Sequence, residues 1–255
     1  MTEVADLWQE AVELGARGHY TASWATLDRL VAQDPRWSSL AHSARGSHLR
    51  QVGDVRAARE HDRQALEAAH DDESRADALI GLAADEVADG DAAAARDFLG
   101  QASAAAEAGW RTRLRWSWVS AELALLEGDA RAAIDAGERA LAACADHSSR
   151  HTAKSLLIIE AAHGATSPEP GGAAILRAVP LLRSGGWATL EWPAALIADD
   201  LVRAQRASAD LLREIDGIRS RGASAVRTVG EGLPEDLRET WLRGPAARRL
   251  LSSDG

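Results

Sequence analysis

A glycine-centred pattern recurs four times in the first 150 residues, at intervals of 35 to 38 residues. In each copy a small residue precedes the glycine by seven positions, and further small or apolar residues follow it by five and twelve positions. The four glycines are Gly18, Gly53, Gly90 and Gly128, and the small residues before them are Ala11, Gly46, Ala83 and Ala121. One such unit is too short to bury an apolar face, so the pattern requires similar units that stack in a row.

The residues of the pattern favour helical hairpins. Glycine ends a first helix because it readily adopts the left-handed conformation. Asp54, Asp91 and Asp129 follow three of the glycines and can cap the next helix with a side-chain oxygen. Small residues allow two antiparallel helices to cross closely, and apolar residues at helical spacing fill the space between pairs.

This series of small residues, glycine and aspartate resembles the tetratricopeptide repeat (TPR) family, and Pro35 closes the first unit in the same manner. The resemblance covers about residues 4–145. It implies an all-α, TPR-like right-handed α-solenoid of about five to six helical hairpins with a concave groove, plus C-terminal capping helices. The sequence departs from the family at His42 and Ser117, which occupy positions where a bulky aromatic residue is expected.

Beyond residue 145 the pattern weakens but continues. We expect a helix over 149–163, a Pro- and Gly-rich loop over 164–172, and a helix over 173–184 that Pro180 kinks or shortens. Residues 149–186 and 187–220 then form degenerate fifth and sixth repeats. The chain divides into repeats over 1–163, the loop, and degenerate repeats with capping helices over 173–255, continuous with the first part.

The last eighty residues contain two further features. An apolar face on one long helix is predicted from Leu211, Ile215, Ile218, Val226 and Val229, and a short helix starting near Pro234 is predicted to run through Trp241. The final segment resembles the terminal cap of TPR regions in large bacterial signalling proteins.

Composition limits the classes of partner. The formal net charge is −10, which disfavours nucleic acids and anionic lipid surfaces as partners. The single cysteine, Cys144, excludes an intrachain disulfide and suits the cytoplasm. No segment approaches the roughly 20 apolar residues of a membrane span, and the N-terminus does not read as a signal peptide.

The resemblance also implies positions that meet a partner, because the first helix of each TPR pair faces the groove. The corresponding residues in this chain are Trp8, Val12, Ser43, Ser47, Arg50, Ile80, Ala84, Val87, Arg115, Trp118, Glu122 and Leu125. The alternative for any one of them is packing between neighbouring helices. Chaperone C-termini are disfavoured as ligands, because the positions of the family's Lys/Asn clamp hold Trp8, Ser43, Ile80 and Trp118.

Other clusters of reactive residues have simpler explanations. Cys144, His147 and His151 have zinc-ligand spacing, but a helix junction is predicted between them and no fourth ligand stands nearby, so we expect no metal. No phosphate loop, nucleophile elbow or HExxH motif occurs, so we expect no enzyme and no cofactor.

Asp199-Asp200 is interpreted as solvent-facing. Arg243, Arg248 and Arg249 are interpreted as helix-end cations, the alternative being contact with the chain's own acidic repeats or an acidic partner.

Three tryptophans, Trp37, Trp110 and Trp187, each begin a repeat and are predicted to act as wedges between hairpins. The leading functional hypothesis is a scaffold or adaptor that binds a peptide segment or helix of a partner protein in the groove. The alternative is a regulatory or sensor module that gates a signalling enzyme or transcription regulator. A homodimer also remains open.

Overall fold

The computed structural model describes residues 3–106, 109–144, 147–166 and 170–252. Over these ranges the chain contains fourteen α-helices and one 3-10 turn, and its only β pairing is an isolated bridge between Gly171 and Ala207. The protein is therefore an all-α helical solenoid, as the repeat pattern predicts.

Twelve of the helices form six consecutive hairpins, and two short helices follow. The hairpins are α1 (Glu3–Ala16) with α2 (Tyr20–Gln33), α3 (Ser38–Gln51) with α4 (Val55–Glu67), α5 (Asp72–Asp89) with α6 (Ala92–Ala106), α7 (Trp110–Leu126) with α8 (Ala130–Cys144), α9 (Ser149–Thr166) with α10 (Ala173–Gly185), and α11 (Ala188–Arg203) with α12 (Ala209–Gly232). The terminal helices are α13 (Glu235–Arg243) and α14 (Pro245–Leu251), and the 3-10 turn is Pro35–Trp37.

The turns between paired helices have the predicted chemistry. Gly18, Gly53, Gly90 and Gly128 all have left-handed backbones, with φ between 78° and 91°. Asp54, Asp91 and Asp129 each accept a hydrogen bond from the backbone N–H three residues later, at 2.9–3.0 Å. In these three turns both ends are satisfied locally, which explains why this part of the fold can be read from the sequence. The helix after Gly18 has His19 at its N-terminal cap position, and the side chain of His19 makes no capping hydrogen bond.

The later hairpins correct three sequence expectations. Helix α9 runs to Thr166 and so enters the predicted loop, of which residues 167–169 lie outside the described ranges. Pro180 lies inside α10 without shortening it, since Val179 and Leu182 on either side are buried in the core. Helix α12 extends to Gly232, so the sixth hairpin continues past residue 220.

A buried carboxylate substitutes for a local cap at the start of α10. Glu160, only 2% exposed, accepts hydrogen bonds from the backbone N–H groups of Gly172 at 2.7 Å and Ala174 at 2.9 Å. These N–H groups would otherwise lack partners at the helix start. Glu160, twelve positions before Gly172, therefore caps the N-terminus of α10. No local capping motif in the sequence indicates this contact.

The hairpins form a curved row with two layers. The first helices from α3 to α11 contact one another in sequence along the row, and we call these five helices the inner row. Among the second helices only α10 and α12 make a comparable neighbour contact. The closer approach of the inner row means that it lies on the concave side. We call this concave surface, together with α1, the recess.

The first and sixth hairpins touch, so the solenoid closes on itself. Helix α1 packs against α11, and α2 packs against α12. The hydroxyl of Thr189 donates to the carbonyl of Ala16 at 2.9 Å, and that of Thr21 donates to the carbonyl of Gly232 at 2.9 Å. Tyr20, which is fully buried, belongs to the same apolar core as Val226 and Leu233. The recess is consequently bounded on both sides instead of forming an open-ended groove.

The terminal helices cover the last hairpin, as predicted. Trp241 is 4% exposed, contacts Trp192 edge to face, and donates its indole N–H to the carbonyl of Val226 at 2.9 Å. The apolar face predicted on α12 is buried throughout. This segment therefore caps the solenoid, which removes an exposed apolar end.

Asp199 corrects the expectation of a solvent-facing acidic pair. Its side chain is 4% exposed and accepts hydrogen bonds from Arg203 at 2.7 Å, Arg219 at 2.5 Å and Arg249 at 2.6 Å. Arg249 also pairs with Asp200, so this cation contacts the chain's own acids, the alternative named above. The cluster links α11, α12 and α14.

We expect Asp199→Asn to lower the free energy of unfolding by about 2 kcal/mol at pH 7, below the 3–5 kcal/mol of a fully buried pair because the guanidinium groups are partly exposed. Burial acts to raise the pKa of Asp199, but the three arginines outweigh it and lower the pKa to about 2. The native carboxylate therefore stabilises the fold above the unfolded-state pKa, and this contribution disappears as the pH falls towards 2. Urea unfolding at pH 7 and pH 2.5 checks this: a difference between the two proteins that does not shrink at low pH contradicts it.

Candidate functional site

The twelve sequence-predicted groove positions divide into two groups in the structure. Four of them, Ser43, Ile80, Ala84 and Trp118, are at most 8% exposed and pack between helices. The other eight are partly exposed: Trp8, Val12, Ser47, Arg50, Val87, Arg115, Glu122 and Leu125. Packing, the alternative named for any single position, therefore describes the first group, and contact of the second group with a partner stays a prediction.

Arg50 does not present a free cation. Its guanidinium pairs with Asp62 at 3.0 Å and with Asp85, and it donates to the carbonyl of Gly81 at 3.3 Å. The side chain of Arg50 is 15% exposed, while both carboxylates are fully buried. One guanidinium between two buried carboxylates leaves negative charge in excess. We call these three residues the Arg50 cluster.

Burial raises the pKa of both carboxyls of the Arg50 cluster. Burial raises the pKa of Asp85 to about 7, the attraction of Arg50 lowers it, and the neighbouring Asp62 raises it further. Burial likewise raises the pKa of Asp62 against the opposing effect of Arg50. The pair of carboxyls therefore binds a proton at a pH where an exposed aspartate is ionised.

Two glycines make room for Asp62. A Cβ atom on Gly46 would lie 2.7 Å from its carboxylate, and one on Gly81 would lie 2.3 Å from it. Gly46 was assigned to close helix crossing, and the structure adds a second reason for a small residue at that position. Gly81 has no place in the glycine pattern, and it accommodates this carboxylate from the middle of α5.

A second buried carboxylate, Asp77, is shared by two arginines of α7. Arg111 pairs with it at 3.1 Å, and Arg115 pairs with it as well. Burial acts to raise the pKa of Asp77, but the two guanidinium groups outweigh this and lower it. This carboxylate is thus ionised, and it anchors two of the cations that line the recess.

An aromatic stack connects α7 to the start of α9. His147 stacks on Trp110 with ring centroids 4.7 Å apart, and His151 stacks on Trp118 at 5.5 Å. Trp118 also donates its indole N–H to Ser155 at 2.9 Å. Cys144 is buried near Ser155, with its sulfur 3.7 Å from that hydroxyl. The two histidines with zinc-ligand spacing contact tryptophans, and burial lowers the pKa of His151 to about 3.

The other tryptophans predicted to be wedges also pack between elements. Trp37 contacts Trp8 with ring centroids 5.5 Å apart. The ring of Trp187 lies where a Cβ atom on Gly185 would be 2.4 Å from it. Both rings are partly buried against apolar clusters, which agrees with a role in packing.

Lys154, the only lysine of the chain, lies on α9 over the ring of Trp118, with 4.2 Å between its ammonium nitrogen and the ring centroid. Its closest acid is Glu122, at 4.0 Å. Burial lowers the pKa of Lys154, Glu122 raises it, and Arg115, Arg50 and Arg150 lower it further. Its side chain nevertheless keeps 37% exposure, as expected for a group that faces an enclosed concave surface.

Arg150 lies one helical turn before Lys154 and makes no hydrogen bond or ion pair with any residue in the described ranges. Burial lowers its pKa, Glu13 of α1 raises it, and Arg111 of α7 lowers it. Arg150 also contributes to the low pKa of His48 on α3. Arg150 thus interacts electrostatically with groups on α1, α3 and α7.

Most of this polar interior cannot be read from the sequence. Asp62, Asp77, Asp85, Arg111, Arg150 and Lys154 belong to no recognised motif. One signal was present, because a glycine in the middle of an otherwise good helix, such as Gly81, indicates close approach by another group.

Similarity to known proteins was found only among solved structures. No family model matches the chain, and no curated protein matches it. Among solved structures, the crystal structure of the P58(IPK) TPR domain is similar, with 15% sequence identity and a TM-score of 0.32. The comparison covers 99% of this chain, which spans 66% of the length of that structure.

The described residues contain neither a metal-ligand cluster nor a membrane-spanning helix. No group of three or more His, Cys, Asp or Glu side chains there is arranged to hold a metal ion. None of the helices in those ranges is both long enough and apolar enough to cross a bilayer.

Proposed function

We propose that this protein is an interaction scaffold that holds a segment of a partner protein in the recess. The supporting observation is the closure of the solenoid, which turns the inner row into a bounded concave surface with partly exposed polar side chains. An enclosed surface of this kind can contact a segment from several sides, and because it is preformed, the ordering cost of binding falls mainly on the partner.

The proposal gives different roles to the side chains around the recess. Arg50 and Trp118 stabilise the helices around the recess. Arg50 neutralises buried carboxylates, and Trp118 is only 7% exposed. Ser47 and Glu122 are partly exposed on α3 and α7, and Lys154 faces Glu122. We propose that these exposed groups contact the partner directly.

Site-specific photo-crosslinking in the source organism tests the proposal. A photoreactive phenylalanine analogue replaces Ser47 or Glu122 in the recess, and, as a matched control, Arg131 on α8, whose side chain is 85% exposed. We expect both recess positions to crosslink to the same protein and Arg131 not to. Equal products from all three positions, or products from Arg131 alone, would place any binding outside the recess.

The alternative of a module that gates a signalling enzyme rests on the likeness of the last segment and stays a prediction, as do the cytoplasmic location and a homodimer. The crosslinked partner distinguishes the two functions. A kinase, ATPase or transcription regulator supports gating, particularly if its activity changes when this protein is added.

A further inference from the structure

We infer that the partner segment is acidic, with carboxylates at alternate positions that pair with Arg150 and Lys154. This inference rests on the proposed function and adds the chemistry of the ligand. It follows from the unequal pairing of the charges that line the recess.

Cations from three helices act on Lys154. Arg150 stands one helical turn before Lys154 on α9, and the charges of Arg115 of α7, Arg50 of α3 and Arg150 all act to lower the pKa of Lys154. We call these four residues the cation group. Like charges that gather away from bulk water cost folding energy, so their convergence needs compensation by anions.

The carboxylates of the fold compensate only part of the group. Arg50 is committed to Asp62 and Asp85, and Arg115 is committed to Asp77. Among the described residues, Lys154 forms an ion pair with Glu122 alone, at 4.0 Å. The one acid in those ranges that acts on Arg150 is Glu13, and Glu13 already pairs with Arg17 at 2.8 Å. Two cations, Arg150 and Lys154, thus keep capacity for an external anion.

Their spacing matches an extended peptide. Arg150 and Lys154 stand four residues apart on α9, so they occupy the same face about 6 Å apart along the helix axis. Alternate side chains of an extended chain point the same way at a repeat of about 6.6 Å. A segment with Asp or Glu at every second position therefore brings one carboxylate to each cation. A single phosphate places its charge at one point and matches this spread less well.

The net charge of −10 does not oppose such binding. At physiological ionic strength the Debye length is about 8 Å, so distant surface acids are screened from a ligand inside the recess. The ligand is attracted by the cations in contact with it.

The test uses a fluorescent, C-terminally amidated peptide of about ten residues with glutamate alternating with serine. Fluorescence anisotropy measures its binding to the protein, to Lys154→Gln, to Arg150→Gln and to Arg131→Gln on the convex side. We expect each recess variant to weaken binding about tenfold, because each removes one charge-assisted contact. Lys154→Arg should stay within about threefold of the parent, and Arg131→Gln should bind as the parent does.

Two further measurements separate a ligand site from a structural role. Arg150→Gln should leave the melting temperature unchanged or raise it, since it removes an unpaired, desolvated cation. The bound peptide should also slow acetylation of Lys154, which is read by mass spectrometry after digestion and is unambiguous because the chain has no other lysine.

Several outcomes overturn the inference. They are equal binding of a peptide with glutamine in place of glutamate, equal weakening by Arg131→Gln, absence of binding at millimolar peptide, and binding of a phosphoserine peptide alone. If Ser47 and Glu122 still crosslink to a common partner in any of these cases, the proposed scaffold function stands and only its acidic ligand is wrong.

Discussion

Replacing Arg50 with methionine is expected to lower the free energy of unfolding at pH 7.5 by about 3–5 kcal/mol, the cost of leaving buried charges without their partner. Arg50 is the cation that both Asp62 and Asp85 pair with, and both carboxylates are fully buried. Methionine matches the length of the side chain without its charge. Unfolding in urea, followed by circular dichroism, measures the loss.

The loss should depend on pH with a definite sign. Because burial raises the native pKa of Asp85 to about 7, the native state holds a proton that the unfolded state releases above about pH 4. This contribution to stability is present at low pH and is lost as the pH rises through the native pKa. Without Arg50 the pKa rises further, so the difference between the two proteins should be larger at pH 8 than at pH 5.

Titration of the buried histidines does not alter the pH dependence of the stability difference between the parent and Arg50→Met. Burial lowers the pKa of His48 and His151 to about 3, so their contribution has the opposite sign and falls as the pH drops below about 6.5. Both histidines are present in parent and variant, and their effect cancels to first order in the difference.

Controls define what would contradict the prediction. Arg213→Met removes an exposed ion pair with Asp210 and should change stability by less than about 0.5 kcal/mol. Adding Asp62→Asn and Asp85→Asn to Arg50→Met should restore part of the loss, since no charge then remains buried. If Arg50→Met costs no more than Arg213→Met, or if its cost does not grow with pH, the buried carboxylates of the Arg50 cluster do not depend on the charge of Arg50.

The hairpins could be predicted from the sequence because their determinants are local. Gly53 ends one helix and Asp54 starts the next within two residues, and both act through backbone groups nearby. The prediction weakened where a determinant lay far away in sequence. Glu160 caps α10 across twelve residues, and Asp199 meets Arg249 across fifty. An isolated acid in a helical pattern looks the same whether it is solvated or buried against an arginine.

From the sequence, only the helices that form the recess could be predicted, not the roles of its side chains. The TPR resemblance predicted that the first helices face inward, and those from α3 to α11 form the inner row. It gave no sign that Arg50 pairs with two buried carboxylates or that Trp118 is only 7% exposed, and contact of either with a partner stays a prediction. Arg150 and Lys154 were missed because they lie on α9, where the repeat pattern is weak. Their importance comes from neighbours on α1, α3 and α7, which only the curvature of the whole row brings together.

The contact between the two ends of this curved row depends on Gly232, where a substitution should strongly lower the free energy of unfolding. A Cβ atom there would lie 2.0 Å from the carbonyl oxygen of Gly18, a backbone atom held in a turn with φ of 88°. Neither backbone can yield without separating α2 from the end of α12. We expect Gly232→Ala to cost about 3 kcal/mol, at the upper end of the usual overpacking range, and to break the hydrogen bond from Thr21 to Gly232.

The location of the damage distinguishes loss of closure from general destabilisation. Hydrogen exchange should accelerate in α1, α2 and the last turns of α12, while α5 to α8 keep their protection, and the radius of gyration in solution should rise as the ring opens. Gly100→Ala is the matched control, because no atom lies within 4 Å of its Cβ position on α6, and alanine should stabilise that helix by about 0.5–1 kcal/mol. Faster exchange spread evenly over the chain would mean that the contact between Gly18 and Gly232 does not hold the two ends together, and the bounded recess would lose its structural basis.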